Sequence, residues 1–392
     1  MFELRKGTPV TCRAGAAGAV LLVVLCAGFA GAQTPQAAVP LSTHIGNLSA
    51  FDYPTRVNAA RLIRRAPIEE AVAALSEAVR RHPDQFVRYR ALVVLTSFND
   101  RGTPDLMRSL LGDRNDRVRE VAYKWLEANP DARLTETLLM GLQTEQAEFV
   151  RPALIGALAA LGRDPNVQRA LLGQVSRGLD FFRSAVIDAL GRHSATYAID
   201  AIAEVAKLDG PLQDDSVVAL GRIGGAKAAA ALTAIPKPAP DVVPTVRAAQ
   251  CLMGEGCDAA VKTFQAETRA GAASPVVRSS VNALGILTTA GNKAATDALV
   301  ALGSQPALRA QAALTFAAAA VRAPGHVLNW LEATPPSSRD GAVELLKEGF
   351  EDLEEDLGEE MFFAATRATY WKADDKSPTR TLTATLIEKL EF

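Results

Sequence analysis

The sequence predicts an all-α protein, an α-solenoid of about nine helical hairpins of about 31 residues each, followed by a C-terminal helical cap. Three observations carry this expectation. The strings Thr55-Arg56, Val87-Arg88, Val118-Arg119, Val150-Arg151, Phe182-Arg183, Leu212-Gln213, Val246-Arg247, Val277-Arg278 and Leu308-Arg309 follow one another at spacings of 32, 31, 32, 32, 30, 34, 31 and 31 residues. Behind each string small or apolar residues recur at helical spacing, as in Val118, Val121, Ala122, Trp125 and Leu126. The composition is 48% hydrophobic but only 6% aromatic, with Ala supplying much of the apolar share, which favours close-packed helices over sheets.

Residues 1–32 read as a signal peptide. Arg5, Lys6 and Arg13 precede an uncharged stretch from Ala14 to Ala32, which holds the apolar run Val20–Leu25 and closes on Ala30-Gly31-Ala32. An uncleaved membrane anchor is the alternative, because 19 uncharged residues just span a bilayer. Cleavage would remove Arg5, Lys6, Arg13 and Glu3, leaving 39 basic and 43 acidic residues in a mildly acidic chain. Periplasmic or secreted localisation follows as the expectation, with no membrane span after cleavage. Residues 33–48, with Pro35 and Pro40 among small polar residues, are expected to form a flexible leader.

The solenoid is expected over residues 49–335. Two helices in about 31 residues cannot cover their own apolar faces, so neighbouring hairpins must stack and share one core. Several first helices close on Gly, as in Ala189-Leu190-Gly191 and Ala219-Leu220-Gly221, which suits a helix end where φ is positive. These strings resemble HEAT repeats of the short bacterial type associated with phycobilisome lyases; Ala219-Leu220-Gly221-Arg222-Ile223-Gly224-Gly225 is the nearest match. The resemblance implies the fold and is nearly silent on function, because HEAT repeats serve scaffolds, adaptors and a few enzymes.

Arg88, Arg119, Arg151 and Arg183 form a periodic series with Asp84, Asp116, Glu148 and Asp180 three or four residues before them. A carboxylate at a helix start satisfies free N–H groups, and an arginine forks onto an acid or carbonyl of the next repeat, so the series reads as a structural ladder. An arginine-lined groove for anionic ligands is the alternative. The prolines at 236, 238, 240 and 244 forbid a continuous helix and mark either a bend or a longer loop. Cys251 and Cys257 remain after signal cleavage. Six residues of helix separate Cα atoms by about 9 Å, too far for a disulfide, but Gly254 and Gly256 supply a break that would let them bridge in an oxidising compartment.

Beyond Pro335 the repeat stops, and residues 336–392 are expected as an acidic helical cap. Leu346, Phe350, Leu353, Leu357 and Met361 fall on one face of a single helix, with Glu348, Glu351, Asp352, Glu354, Glu355, Asp356, Glu359 and Glu360 around them. Residues 341–392 carry 13 acidic and 6 basic residues, whereas residues 33–130 carry 11 and 14. The acidic face is thus either the polar outside of a cap or a docking surface for a basic partner, the positive N-terminal half of the chain included.

Little in the sequence points to catalysis. None of His44, His82, His193 and His326 begins a zinc motif, Gly221–Lys227 lacks the Gly-Lys-Ser/Thr of a phosphate loop, and no nucleophile elbow occurs. No cofactor is implied. A near-neutral to acidic balance speaks against nucleic acid. The expected function is a non-enzymatic, exported scaffold that binds a protein or peptide in a groove formed by the second helices. A ligand- or cofactor-handling accessory, as the lyase resemblance implies, is the alternative.

Overall fold

Several helices begin where a short polar side chain catches free N–H groups. In the computed structural model, which describes residues 39–236, 238–269, 274–353 and 356–392, Asp84 accepts from the Phe86 N–H at 2.8 Å, Asn115 from Arg117, Asp164 from Asn166 and Ser274 from Val277. The expected signal peptide, residues 33–38 of the leader, and Glu354 and Glu355 lie outside the described residues.

A first helix α1 (Leu41–Asn47) leads into nine hairpins among the described residues. They begin with α2 (Tyr53–Arg65) and α3 (Ile68–Arg81), α4 (Gln85–Thr96) and α5 (Thr103–Ser109), and α6 (Asp116–Ala128) and α7 (Thr135–Thr144). Next come α8 (Arg151–Ala160) and α9 (Pro165–Val175), α10 (Asp180–Arg192) and α11 (Ile199–Ala206), and α12 (Gln213–Ile223) and α13 (Gly225–Thr233). The last three are α14 (Val243–Leu252) and α15 (Cys257–Arg269), α16 (Pro275–Thr289) and α17 (Lys293–Ala301), and α18 (Arg309–Arg322) and α19 (Pro324–Ala333). Three further helices follow: α20 (Pro336–Leu353), α21 (Asp356–Lys372) and α22 (Pro378–Lys389).

Two expectations change here. Part of the expected flexible leader is helix α1, because Ile45 and Leu48 are buried in the N-terminal core. The expected single acidic helix is not continuous: the Phe350 ring of α20 lies 5.4 Å from the Phe362 ring of α21, whereas twelve residues of one helix span about 18 Å; Leu346, Phe350 and Leu357 are buried and Met361 is 40% exposed.

The first helices α4 to α20 pack in one unbroken row, each close against the next, whereas the second helices touch one another far less. The closer row must lie on the inside of the curve. Small residues permit this approach: a Cβ at Gly191 would sit 2.7 Å from the Ala219 Cα, and one at Gly221 2.6 Å from the Ala249 Cα. These glycines lie within α10 and α12, so the repeated Ala-Leu-Gly serves helix contact and is no helix stop. Gly224, with φ of 67°, makes the actual stop of α12.

Across the proline segment the inner row continues, with α12 on α14, while α13 and α15 share little contact. Just beyond it α14 ends, Gly254 and Gly256 take φ of 90° and 66°, and Cys251 and Cys257 are joined by a disulfide with Cα atoms 4.6 Å apart. Reducing this short loop should lower stability by about 2 kcal/mol, read as a fall in melting temperature with reductant. An unchanged melting temperature would mean that the bridge constrains nothing.

Residues 40–392 form one unit, and its two ends meet. Helix α21 packs against α4, and Leu357 is buried in the N-terminal core with Leu48, Ala59, Ile63 and Val94. The solenoid therefore closes on itself as a ring.

Candidate interaction surface

The residues that the sequence singles out for docking are divided by this closure. Glu351 and Asp352 are exposed at the end of α20, Asp356 opens α21, and Glu359 is half-buried at the seam. Glu360 next to it is 1% exposed and pairs with Arg64 of α2 through two hydrogen bonds; the Arg64 side chain is 11% exposed. The Arg64 guanidinium also lies 4.8 Å from the ring centre of Phe363, and Arg367 lies 5.4 Å from that of Phe98. Burial lowers the Arg367 pKa, against the attraction of Glu360. The acidic segment thus meets the basic N-terminal helices within the same chain. A cavity of about 110 Å³ remains at the seam, between Val57, Ala60 and Val93 on one side and Leu390 and Phe392 on the other.

The arginine series is engaged within the fold. Arg88 forks onto Asp113 and donates to the Val79 carbonyl at 2.7 Å. Arg119 forks onto Glu145 at 2.7 and 2.8 Å and donates to the Asp113 carbonyl. The Arg119 hydrogen bonds hold Glu145 below the ordinary carboxylate range. Arg183 joins the Val175 carbonyl and Asp180, both at 3.0 Å. Arg151 departs from the pattern, stacking 4.4 Å from the centre of Phe182.

The concave face is the row of first helices, not the second helices expected from the sequence. It carries a chain of ion pairs across three of them: Glu127 of α6 with Arg192, and Asp188 of α10 with both Arg192 and Arg222 of α12. His193 Nε2 lies 3.0 Å from Glu127 Oε1. Burial alone would raise the Asp188 pKa, but Arg192, Arg222 and Arg322 of α18 outweigh it and hold the carboxyl ionised. Asp214 and Asp215 behave oppositely, raised chiefly by burial and further by neighbouring carboxylates.

That asymmetry has a pH consequence. A folded-state pKa above the unfolded one makes the folded chain hold its proton longer, so stability falls as pH rises from the unfolded value through the folded one. Asp214→Asn should therefore be more stable than the parent at pH 7, and the gain should vanish as pH falls toward the ordinary Asp value of 3.8. Urea melts across that range check it; a pH-independent difference would contradict the assignment.

One set of exposed side chains went unread in the sequence. Phe86, Arg117, Phe149 and Phe181 stand two residues before Arg88, Arg119, Arg151 and Arg183, at the same place in four consecutive repeats. Phe86 and Phe181 are 65% and 64% exposed, Phe149 38%. The Arg117 guanidinium lies 4.6 Å from the Phe149 ring centre and that of Arg90 5.9 Å from Phe86. A groove of about 490 Å³ joins Phe86, Tyr89, Asn115, Asp116, Arg117 and Phe149 along the rim where the first helices begin. The signal was present as a fixed register; no apolar stripe rule detects it, because these aromatics face solvent.

Among the described residues no helix is long and apolar enough to cross a membrane. A family model described as HEAT repeats matches residues 45–127 and 72–159. Among solved structures the chain is similar to the complex of CpcE and CpcF of phycocyanin lyase from Nostoc sp. PCC7120, at 19% identity and a TM-score of 0.34, covering 64% of this chain and 96% of that one. It is also similar to Kap121p, at 13% identity and a TM-score of 0.30, covering 91% of this chain and 46% of that one. No curated protein matches. Residues 45–159 thus match HEAT repeats, and hairpins of the same kind continue to Ala333 in one α-solenoid.

Proposed function

We propose that this protein is an exported, non-enzymatic interaction scaffold that binds a protein or peptide along the rim of its closed solenoid. One observation carries the reading: Phe86, Arg117, Phe149 and Phe181 present large side chains to solvent from equivalent positions of four successive repeats, and the first three line one groove. Scattered single apolar residues need no explanation, but a register-locked row of aromatics interleaved with arginine has the composition of a binding hot spot. Two other surfaces are less suited. The acidic segment is partly used in closing the ring, and the concave face is bridged by its own ion pairs. Export rests on the signal-like residues 1–32 and agrees with the disulfide.

Site-specific photo-crosslinking in the source cell tests it. A photoreactive residue at Phe86 or Phe181 should trap a discrete protein or peptide that the same residue at Gln265, exposed on outer helix α15, does not. Identical products from rim and outer positions would refute the proposal.

A further inference from the structure

The groove between Phe86 and Phe149 specifies the charge of its occupant, and this inference rests on the rim being the binding surface. Two arginines line it from consecutive first helices, Arg90 of α4 and Arg117 of α6, against the single carboxylate of Asp116. The Arg90 guanidinium lies over the Phe86 ring and that of Arg117 over the Phe149 ring, and Arg90 is anchored further on the Leu48 carbonyl at 2.8 Å. A guanidinium laid on a ring is held in place but keeps its in-plane N–H edges, the edges that fork onto a carboxylate. Rings seated in this way leave little room for a second cation, and the arginines repel one.

The Arg117 side chain is 56% exposed, and its Nη1 pairs with Glu120 at 3.1 Å, three residues on in the same helix. Such an exposed pair contributes little, so an incoming carboxylate joins or replaces it at small cost. Arg114, exposed on the turn ahead of α6, makes no ion pair among the described residues, so the stretch from 114 to 117 carries two exposed guanidiniums against Asp116. Glu148 is exposed beside Phe149 but does not line the groove. Gln85 and Asp116, the first residues of α4 and α6, do line it, and the positive ends of two helix dipoles add to the field of the arginines. We infer that the groove between Phe86 and Phe149 binds an acidic peptide, whose carboxylates pair with Arg117 and face Arg90 while an apolar side chain fills the space between the two rings.

The test is fluorescence anisotropy of the purified full chain with a labelled Glu-Leu-Glu-Phe-Glu-Leu-Glu peptide. Two controls keep its apolar side chains and change its charge, one with glutamine and one with lysine in place of every glutamate. The acidic peptide should bind about tenfold more tightly than the glutamine peptide, as for one hydrogen-bonded charge pair, and the lysine peptide more weakly than either. Arg117→Gln and Phe149→Ala, with circular dichroism and melting temperature unchanged, should each weaken it about tenfold. Arg117→Gln should also flatten its salt dependence. Arg169→Gln, exposed on outer helix α9, is the control and should change nothing. Equal binding of the acidic and glutamine peptides would overturn the charge claim, and equal binding of the acidic peptide to the parent and both groove variants would remove the site. Tighter binding of a single-stranded oligothymidylate than of the acidic peptide would make this a nucleic-acid groove and overturn the inference. If no peptide binds while photo-crosslinks at Phe86 still trap a discrete partner, the inference fails and the scaffold reading stands.

Discussion

Replacing Glu360 with Gln should destabilise the protein by about 3–5 kcal/mol and open the ring. The carboxylate is 1% exposed and is held by the fork of Arg64, itself 11% exposed, with Arg367 close by. Truncating one partner of a buried pair leaves the other charge desolvated and unmatched, which costs far more than the intact pair contributes. Arg64→Leu combined with Glu360→Leu should recover much of the loss, since a well-packed apolar pair in place of an ion pair is often close to neutral. Chemical denaturation measures both. A loss below about 1 kcal/mol for Glu360→Gln would place the pair in solvent and break the account of the seam.

Gly221→Ala should destabilise by about 1–3 kcal/mol, although alanine is the better helix former by about 1 kcal/mol. The added methyl would lie 2.6 Å from the Ala249 Cα and 2.7 Å from its Cβ, so the clash is with backbone and no side chain can rotate away. Helix α12 would have to move off α14, which it packs against closely in the inner row. Gly173→Ala on outer helix α9, where a Cβ meets nothing within 4 Å, is the control and should be neutral or stabilising. The pair of melting temperatures separates close packing from helix propensity.

The repeat was legible because a helical period of apolar residues and a second period of about 31 residues both survive in one-dimensional order. Each inner helix begins within a few residues of the string that marks it, as α6 begins at Asp116 before Val118-Arg119. What the sequence concealed is what depends on distant pairs. Nothing near Glu360 announces Arg64, 296 positions earlier, and the acid-rich stretch from Glu351 to Glu360 has the same composition whether it faces water or a basic helix of its own chain. The inner and outer rows were also reversed. Both helices of a hairpin have apolar faces, and only the curvature, fixed by contacts such as Gly191 on Ala219, decides which is concave. The rim aromatics fall between these cases. Their register was readable, but exposure was needed to separate Phe181, in solvent, from Phe182, packed beneath Arg151.

Closure of the solenoid is the claim from which the rest follows, because it occupies part of the acidic segment and leaves the rim as the open face. Double electron–electron resonance between spin labels at Asn58 of α2 and Ala368 of α21, both exposed, tests it most directly. The closed ring predicts one narrow distance distribution below about 30 Å, since Arg64 and Glu360 on the same two helices are in contact. An open stack of nine hairpins at about 9 Å each would separate these ends by about 80 Å, and a broad distribution at or beyond the measurable limit would contradict closure.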